Sequence, residues 1–185
     1  MSIRRPRTAA SAASMTAALI VPAFITAMLV GAIPSTSVAH AAQPATAVTA
    51  KNSNGQELTS SKRRALNPNG QTLTIRGKGF NPTVGIYVAL CVTPPAGQKP
   101  SPCGGGVNVD GSSQASAWIS SNPPPYARNL TTPYRPNGSF TTRIKVSPMI
   151  GDSDCRTVPC SIVARADHLR ANDRSFDVAV PVTFR

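Results

Sequence analysis

The strictest constraint in this chain is a period of two. From Gln71 to Lys78, Leu73 and Ile75 alternate with Thr72, Thr74, Arg76 and Lys78, which puts the apolar and polar sets on opposite faces of one strand. The alternation returns at Ser139–Val146, with Phe140, Ile144 and Val146 on one side and Arg143 and Lys145 on the other. It returns again at Phe176–Phe184, where Phe176, Val178, Val180, Val182 and Phe184 share a face. Pro181 in that run marks an edge strand or a bulge. Gly85–Val92 is apolar on both faces, as a strand covered twice must be, Ala115–Ser120 is a short strand, and Cys160–Ala166 is another strand. Turn signals separate the runs: Gly79-Phe80-Asn81-Pro82, a Pro- and Gly-rich stretch from Thr93 to Gly111, and an irregular segment from Asn122 to about Asn137-Gly138. No stretch beyond Ala42 carries a helical period. The expected fold is therefore all-β, an immunoglobulin-like seven-stranded antiparallel β-sandwich.

Ahead of these runs, Arg4, Arg5 and Arg7 precede an apolar run from Ala17 to Ile33 and small residues ending Ala39-His40-Ala41. That layout predicts a secretory signal peptide over 1–41, cleaved after Ala41. A retained membrane anchor is the competing reading; Pro22, Pro34 and the Ala-x-Ala site favour cleavage. Arg4-Arg5 lacks the apolar residues that would follow a twin-arginine signal, so general secretion is expected. Three arginines leave with the leader, so 16 of the 19 basic residues face all 7 acidic ones in the remainder. The basic balance thus belongs to the folded part, and 41% apolar residues argue against charge-driven disorder. Residues 42–64 are polar and small, and read as a flexible N-terminal tail with a first edge strand; 65–185 form the sandwich domain.

All four cysteines, Cys91, Cys103, Cys155 and Cys160, follow the leader. An even count in an exported chain predicts two disulfides among three pairings, and proximity in sequence favours Cys91 with Cys103 and Cys155 with Cys160. Zinc is the competing reading, but the C-x2-C knuckle is missing and His168 is the one histidine after the leader. No metal or cofactor is expected. No G-x-S-x-G elbow or phosphate-cradling loop occurs either. Asp152 and Asp154 sit in a Gly-Asp-Ser-Asp turn, and Arg165, Asp167, His168, Asp173 and Arg174 read as a salt-bridge corner between the last two strands. The chain is not expected to be an enzyme.

Asn69-Gly70-Gln71-Thr72-Leu73-Thr74-Ile75, then Gly77-Lys78-Gly79-Phe80 and Gly85-Ile86-Tyr87-Val88-Ala89-Leu90-Cys91, resemble the opening of the neocarzinostatin and macromomycin apoprotein family. Downstream, Asn137-Gly138-Ser139-Phe140, Asp154-Cys155-Arg156-Thr157-Val158-Pro159-Cys160 and Val180-Pro181-Val182-Thr183-Phe184 resemble the same family in order and spacing. The resemblance covers roughly 65–185, and the cysteine framework is its most specific part. It implies a secreted actinobacterial sandwich that carries and shields an enediyne chromophore, an antibiotic that cuts DNA once released. It also implies that Cys91–Cys103 crosses the floor of the ligand cleft and Cys155–Cys160 ties the opposite wall. Two departures stand out: Val92–Pro102 lacks the large apolar side chain that contacts ligand in the family, and Ser112–Pro136 is longer and holds a triple proline. The cleft should be lined differently.

The expected ligand-binding residues are Tyr87 and Ala89 on the doubly apolar strand, Trp118 among serines, and Tyr126 and Tyr134 in the irregular segment. Trp118 is open to two readings, a stacking platform for a ligand or a side chain packed under the prolines. A second candidate is a polyanion-binding face of Arg76, Lys78, Arg143 and Lys145, brought together if their strands are neighbours, with an ordinary solvated face as the alternative. Two functions follow. One is a monomeric secreted carrier that sequesters a small apolar ligand. The other is a cell-envelope or surface interaction module that binds DNA, an envelope polymer or protein partners through the basic face and long loops.

Overall fold

The computed structural model describes residues 46–105 and 112–185. The expected leader, its cleavage site after Ala41 and Gly106–Gly111 of the Pro- and Gly-rich loop lie outside the described residues. The strands are β1 (Val48–Lys51), β2 (Glu57–Ser60), β3 (Gln71–Lys78), β4 (Ile86–Val92), β5 (Ser116–Ile119), β6 (Thr131–Thr132), β7 (Phe140–Val146), β8 (Met149–Ile150), β9 (Ser153–Asp154), β10 (Cys160–Ala166) and β11 (Val178–Val182). Two short 3-10 turns, Pro125–Ala127 and His168–Arg170, are the helical elements among the described residues. The strands form a four-stranded sheet in the order β1-β2-β3-β7, a five-stranded sheet in the order β11-β10-β4-β5-β6, and the small β8-β9 hairpin.

The two larger sheets face each other across one core. Leu73 and Ile75 of β3 and Phe140, Ile144 and Val146 of β7 pack with Ile86, Val88 and Leu90 of β4, Ile162 and Ala164 of β10, and Val178, Val180 and Val182 of β11. These are the apolar sets that the period of two selects. Phe140 is 2% exposed, and its ring lies over Gly77, its cross-strand partner, where a Cβ would overlap the ring. Phe80 and Tyr134 complete the packing around it, with ring centroids 5.4 and 5.9 Å away. Both expected disulfides are present, Cys91–Cys103 and Cys155–Cys160. They are compatible with an extracellular location. Among the described residues no helix is long and apolar enough to cross a membrane.

The all-β sandwich is as expected; its strand inventory is not. Nine strands make up the two sheets instead of seven, and β5 pairs with β6 in parallel, so the fold is not purely antiparallel. The tail with a first edge strand expected over 42–64 is, over part of its described length, a two-stranded hairpin of β1 and β2 on the edge of the first sheet. Its turn is made by Asn52, whose Oδ1 accepts from the amides of Asn54 and Gln56, each 3.1 Å away. Leu58 anchors β2 at 0% exposure, while its neighbours Thr59 and Ser60 are buried polar residues. A hairpin with one large apolar anchor carries almost no hydrophobic period, which is why composition alone makes it look like a tail. The last strand is shorter than Phe176–Phe184 because Asp177 N closes a turn on Arg174 O, and Phe184 leaves the ladder to bridge Leu66. Pro181 sits in β11, a terminal strand of its sheet, where a missing donor is tolerated.

Candidate ligand-binding site

Strand β4 turns Ile86, Val88 and Leu90 into the core, which leaves Tyr87, Ala89 and Cys91 on the outer face of the five-stranded sheet. Register places Ala89 between Ser116 of β5 and Val163 of β10, and Cys91 beside Ser161. Ala89, Cys91 and Val163 form a second, smaller apolar cluster against which Cys103 packs. The loop closed by the first disulfide is anchored there as well, since Thr93 Oγ1 lies 2.8 Å from Ser161 Oγ. The second face of the central strand is thus covered at one end by the disulfide and its loop. At the other end it is covered by aromatic rings.

Tyr87 stands directly opposite Trp118, with ring centroids 5.6 Å apart. His168, from the turn that follows β10, lies 5.2 Å from the Trp118 ring and 6.1 Å from that of Tyr87. Pairs of this kind contribute about 0.5–1.5 kcal/mol each beyond their buried area. Polar bonds fix the cluster. The Trp118 indole N–H donates to Asp167 Oδ2 at 3.1 Å, while Asp167 Oδ1 accepts from Leu169 N at 3.0 Å and so caps the His168–Arg170 turn. Asp167 is 2% exposed, and its carboxylate rests on Gly85, where a Cβ would overlap Oδ2. Tyr87 Oη lies 2.6 Å from His168 Nδ1, and Tyr126 Oη 3.3 Å from Nε2. A neutral imidazole has one N–H, so it accepts from one hydroxyl and donates to the other. Burial first, and then the Asp167 carboxylate, push the Tyr87 phenol up to about 12. It stays protonated at neutral pH and acts as a hydrogen-bonding group.

Arg165 completes the row on β10. It pairs in register with Tyr87, and its guanidinium carbon lies 5.7 Å from the Tyr87 ring centroid, a cation–π arrangement. Behind it Arg174 Nη1 donates to Asp177 Oδ2 at 2.9 Å. The expected salt-bridge corner therefore consists of the Arg174–Asp177 pair. Asp173 instead accepts from Ser175, and Asp167 serves the indole. Burial pushes Asp177 up to about 6 despite the nearby guanidiniums, and burial together with Arg174 holds Arg165 below its ordinary value.

No family model matches the chain, and no curated protein matches it. Among solved structures it is similar to macromomycin. The TM-score is 0.44 and the identity 18%, over 71% of this chain and 100% of that one.

Of the expected ligand residues, Tyr87 and Trp118 share the outer face and Tyr126 joins them through His168 at 66% exposure, whereas Ala89, on the same face, is corrected to a buried residue, 5% exposed in the cluster against which Cys103 packs. The indole is held by Tyr87, His168 and Asp167, which answers what fixes it in place. Tyr134 is corrected to a core residue: it is 8% exposed, packs on Phe140, and its hydroxyl donates to Val84 O at 3.1 Å. Sequence reasoning left Arg165, Asp167 and His168 out of this site. The available signal was Arg165 itself, on the same face as Val163 in a strand otherwise free of charge.

Arg76, Lys78, Arg143 and Lys145 do lie exposed on β3 and β7, which are neighbours. Their register separates them, however. Lys145 faces Thr72 and Arg143 faces Thr74, while Arg76 lies between Thr59 and Thr141. Lys78 faces Glu57, which also pairs with Lys51 at 3.5 Å. Lys78 and Lys145 are six residues apart along the ladder, about 20 Å. The four bases are spread between threonines and an acid, and do not converge on one point. A cavity of about 440 Å³ on this face is lined by Arg76, Lys78 and Arg135, with Glu57 among them.

Proposed function

We propose that the chain is a secreted, non-enzymatic binding protein that sequesters a small, largely apolar aromatic ligand on the outer face of its five-stranded sheet. The observation that carries this reading is the Tyr87–Trp118–His168 cluster, partly exposed on a sheet face and locked by the buried Asp167. Rings held rigid at a surface bind without an ordering cost, and a few fixed polar groups beside them set orientation. Tyr126 and Leu169, each 66% exposed, extend the apolar rim. The resemblance of the cysteine framework to the neocarzinostatin and macromomycin apoproteins supports a carrier role, and the leader expected over 1–41 supports secretion.

Native mass spectrometry of the protein secreted by its own source cells tests the reading. A small molecule should copurify in one-to-one ratio and be lost from Trp118→Ala. A bare polypeptide, retained on cell walls and released by salt, would overturn it in favour of the envelope module.

A further inference from the structure

Three side chains cross the outer face on adjacent strands: Trp118 on β5, Tyr87 on β4 and Arg165 on β10, each opposite the next. The first two present rings. The third is a partly buried guanidinium in a strand whose other residues are uncharged. Among the described residues no carboxylate lies within ion-pair distance of Arg165, and its side chain makes no hydrogen bond; the Tyr87 ring is its one direct partner. Neither nearby acid bonds Arg165, although Asp177 Oδ1 is buried without a hydrogen-bond partner. Asp177 pairs with Arg174, and both oxygens of Asp167 accept from Trp118 and Leu169. Arg165 and Arg174 therefore share the charge of one carboxylate, which bonds Arg174 and leaves the partly buried Arg165 under-compensated, an unfavourable state for a cation partly withdrawn from water. A guanidinium presents a planar fork of donors that a carboxylate matches with two parallel bonds. From β10 to β5 is two strand spacings, about 10 Å, the length of a bicyclic aromatic acid.

We propose that the ligand of this face is an aromatic acid, its carboxylate taken by Arg165 and its ring laid against Tyr87 and Trp118. This rests on the reading of the face as a ligand site. It adds the chemical class that the site selects.

The chain has a single tryptophan, so one indole N–H signal in a ¹⁵N correlation spectrum reports the site. We would titrate the labelled protein with indole-3-acetate and, separately, with its neutral isostere indole-3-acetamide. The acid should move the Trp118 signal at least about tenfold more tightly than the amide, the range expected of a hydrogen-bonded charge pair. Arg165→Gln should erase that preference and Arg165→Lys should keep part of it, both with an otherwise dispersed spectrum. Equal binding of acid and amide, or a preference that survives Arg165→Gln, would refute the acid selectivity and leave the ligand face standing. A Trp118 signal that neither probe moves would remove both.

Discussion

Gly85→Ala isolates the contact on which the aromatic cluster depends. The added methyl would overlap Asp167 Oδ2, come within 2.9 Å of its Cγ and lie 3.2 Å from Trp118 Nε1. Asp167 is buried, and its backbone N donates to Gly85 O at 3.0 Å, so the carboxylate cannot simply swing into water. It must withdraw from the indole. A hydrogen bond to a charged group is worth about 1.5–3 kcal/mol, and the disturbed ring pairs add about 1. Gly85 is not at positive φ, so the alanine recovers up to about 1 kcal/mol through the unfolded chain. The expected net loss is about 2–3 kcal/mol, which for a domain of this size lowers Tm by roughly 4–10 °C. Guanidinium and thermal unfolding read the stability, while the emission maximum of the single tryptophan reads the site. Gly77→Ala, which crowds Phe140 on the opposite sheet, should destabilise without moving that emission. If Gly85→Ala unfolds within about 0.5 kcal/mol of the wild type and its emission is unchanged, the account of Asp167 as the brace of Trp118 is wrong.

Three further outcomes follow from the same contacts. Replacing Cys91 and Cys103 together by alanine should cost about 3 kcal/mol from the loop they close, measured by denaturant unfolding with the Cys155–Cys160 bond kept oxidised. Tyr134→Phe should cost about 1 kcal/mol through the lost bond to Val84 O and leave ligand titrations unchanged, since that tyrosine belongs to the core. Between about pH 4 and 6 the folded state holds a proton on Asp177 that the unfolded chain has released. Stability should therefore fall as pH rises through that window, and Asp177→Asn should flatten this part of the profile in pH-dependent melts.

Much of the architecture is written in local alternation. Gln71–Lys78 is a strand over the range that its sequence pattern marks, because a strand with one buried face cannot slip by one residue without turning its apolar set to water. The hairpin over 48–60 was legible only as a single edge strand, because its burial rests on Leu58 and on polar side chains satisfied within the fold, with Asn52 and Asn54 reaching Ser175 O. The candidate site was half legible. Tyr87 and Trp118 could be placed on outer faces by parity, but parity does not say which strands are neighbours or in what register.

The sequence by itself determined the class of fold, its disulfide pairs and the composition of each strand face, since periodicity and short loop closure are local properties. Tertiary structure alone decided which faces meet. Register brought Arg165 beside Tyr87 and spread the four bases of the other sheet along about 20 Å, while the turn after β10 delivered Asp167 and His168 to Trp118. Those contacts join residues some 50 to 80 positions apart, and nothing in the local pattern of either partner encodes the other.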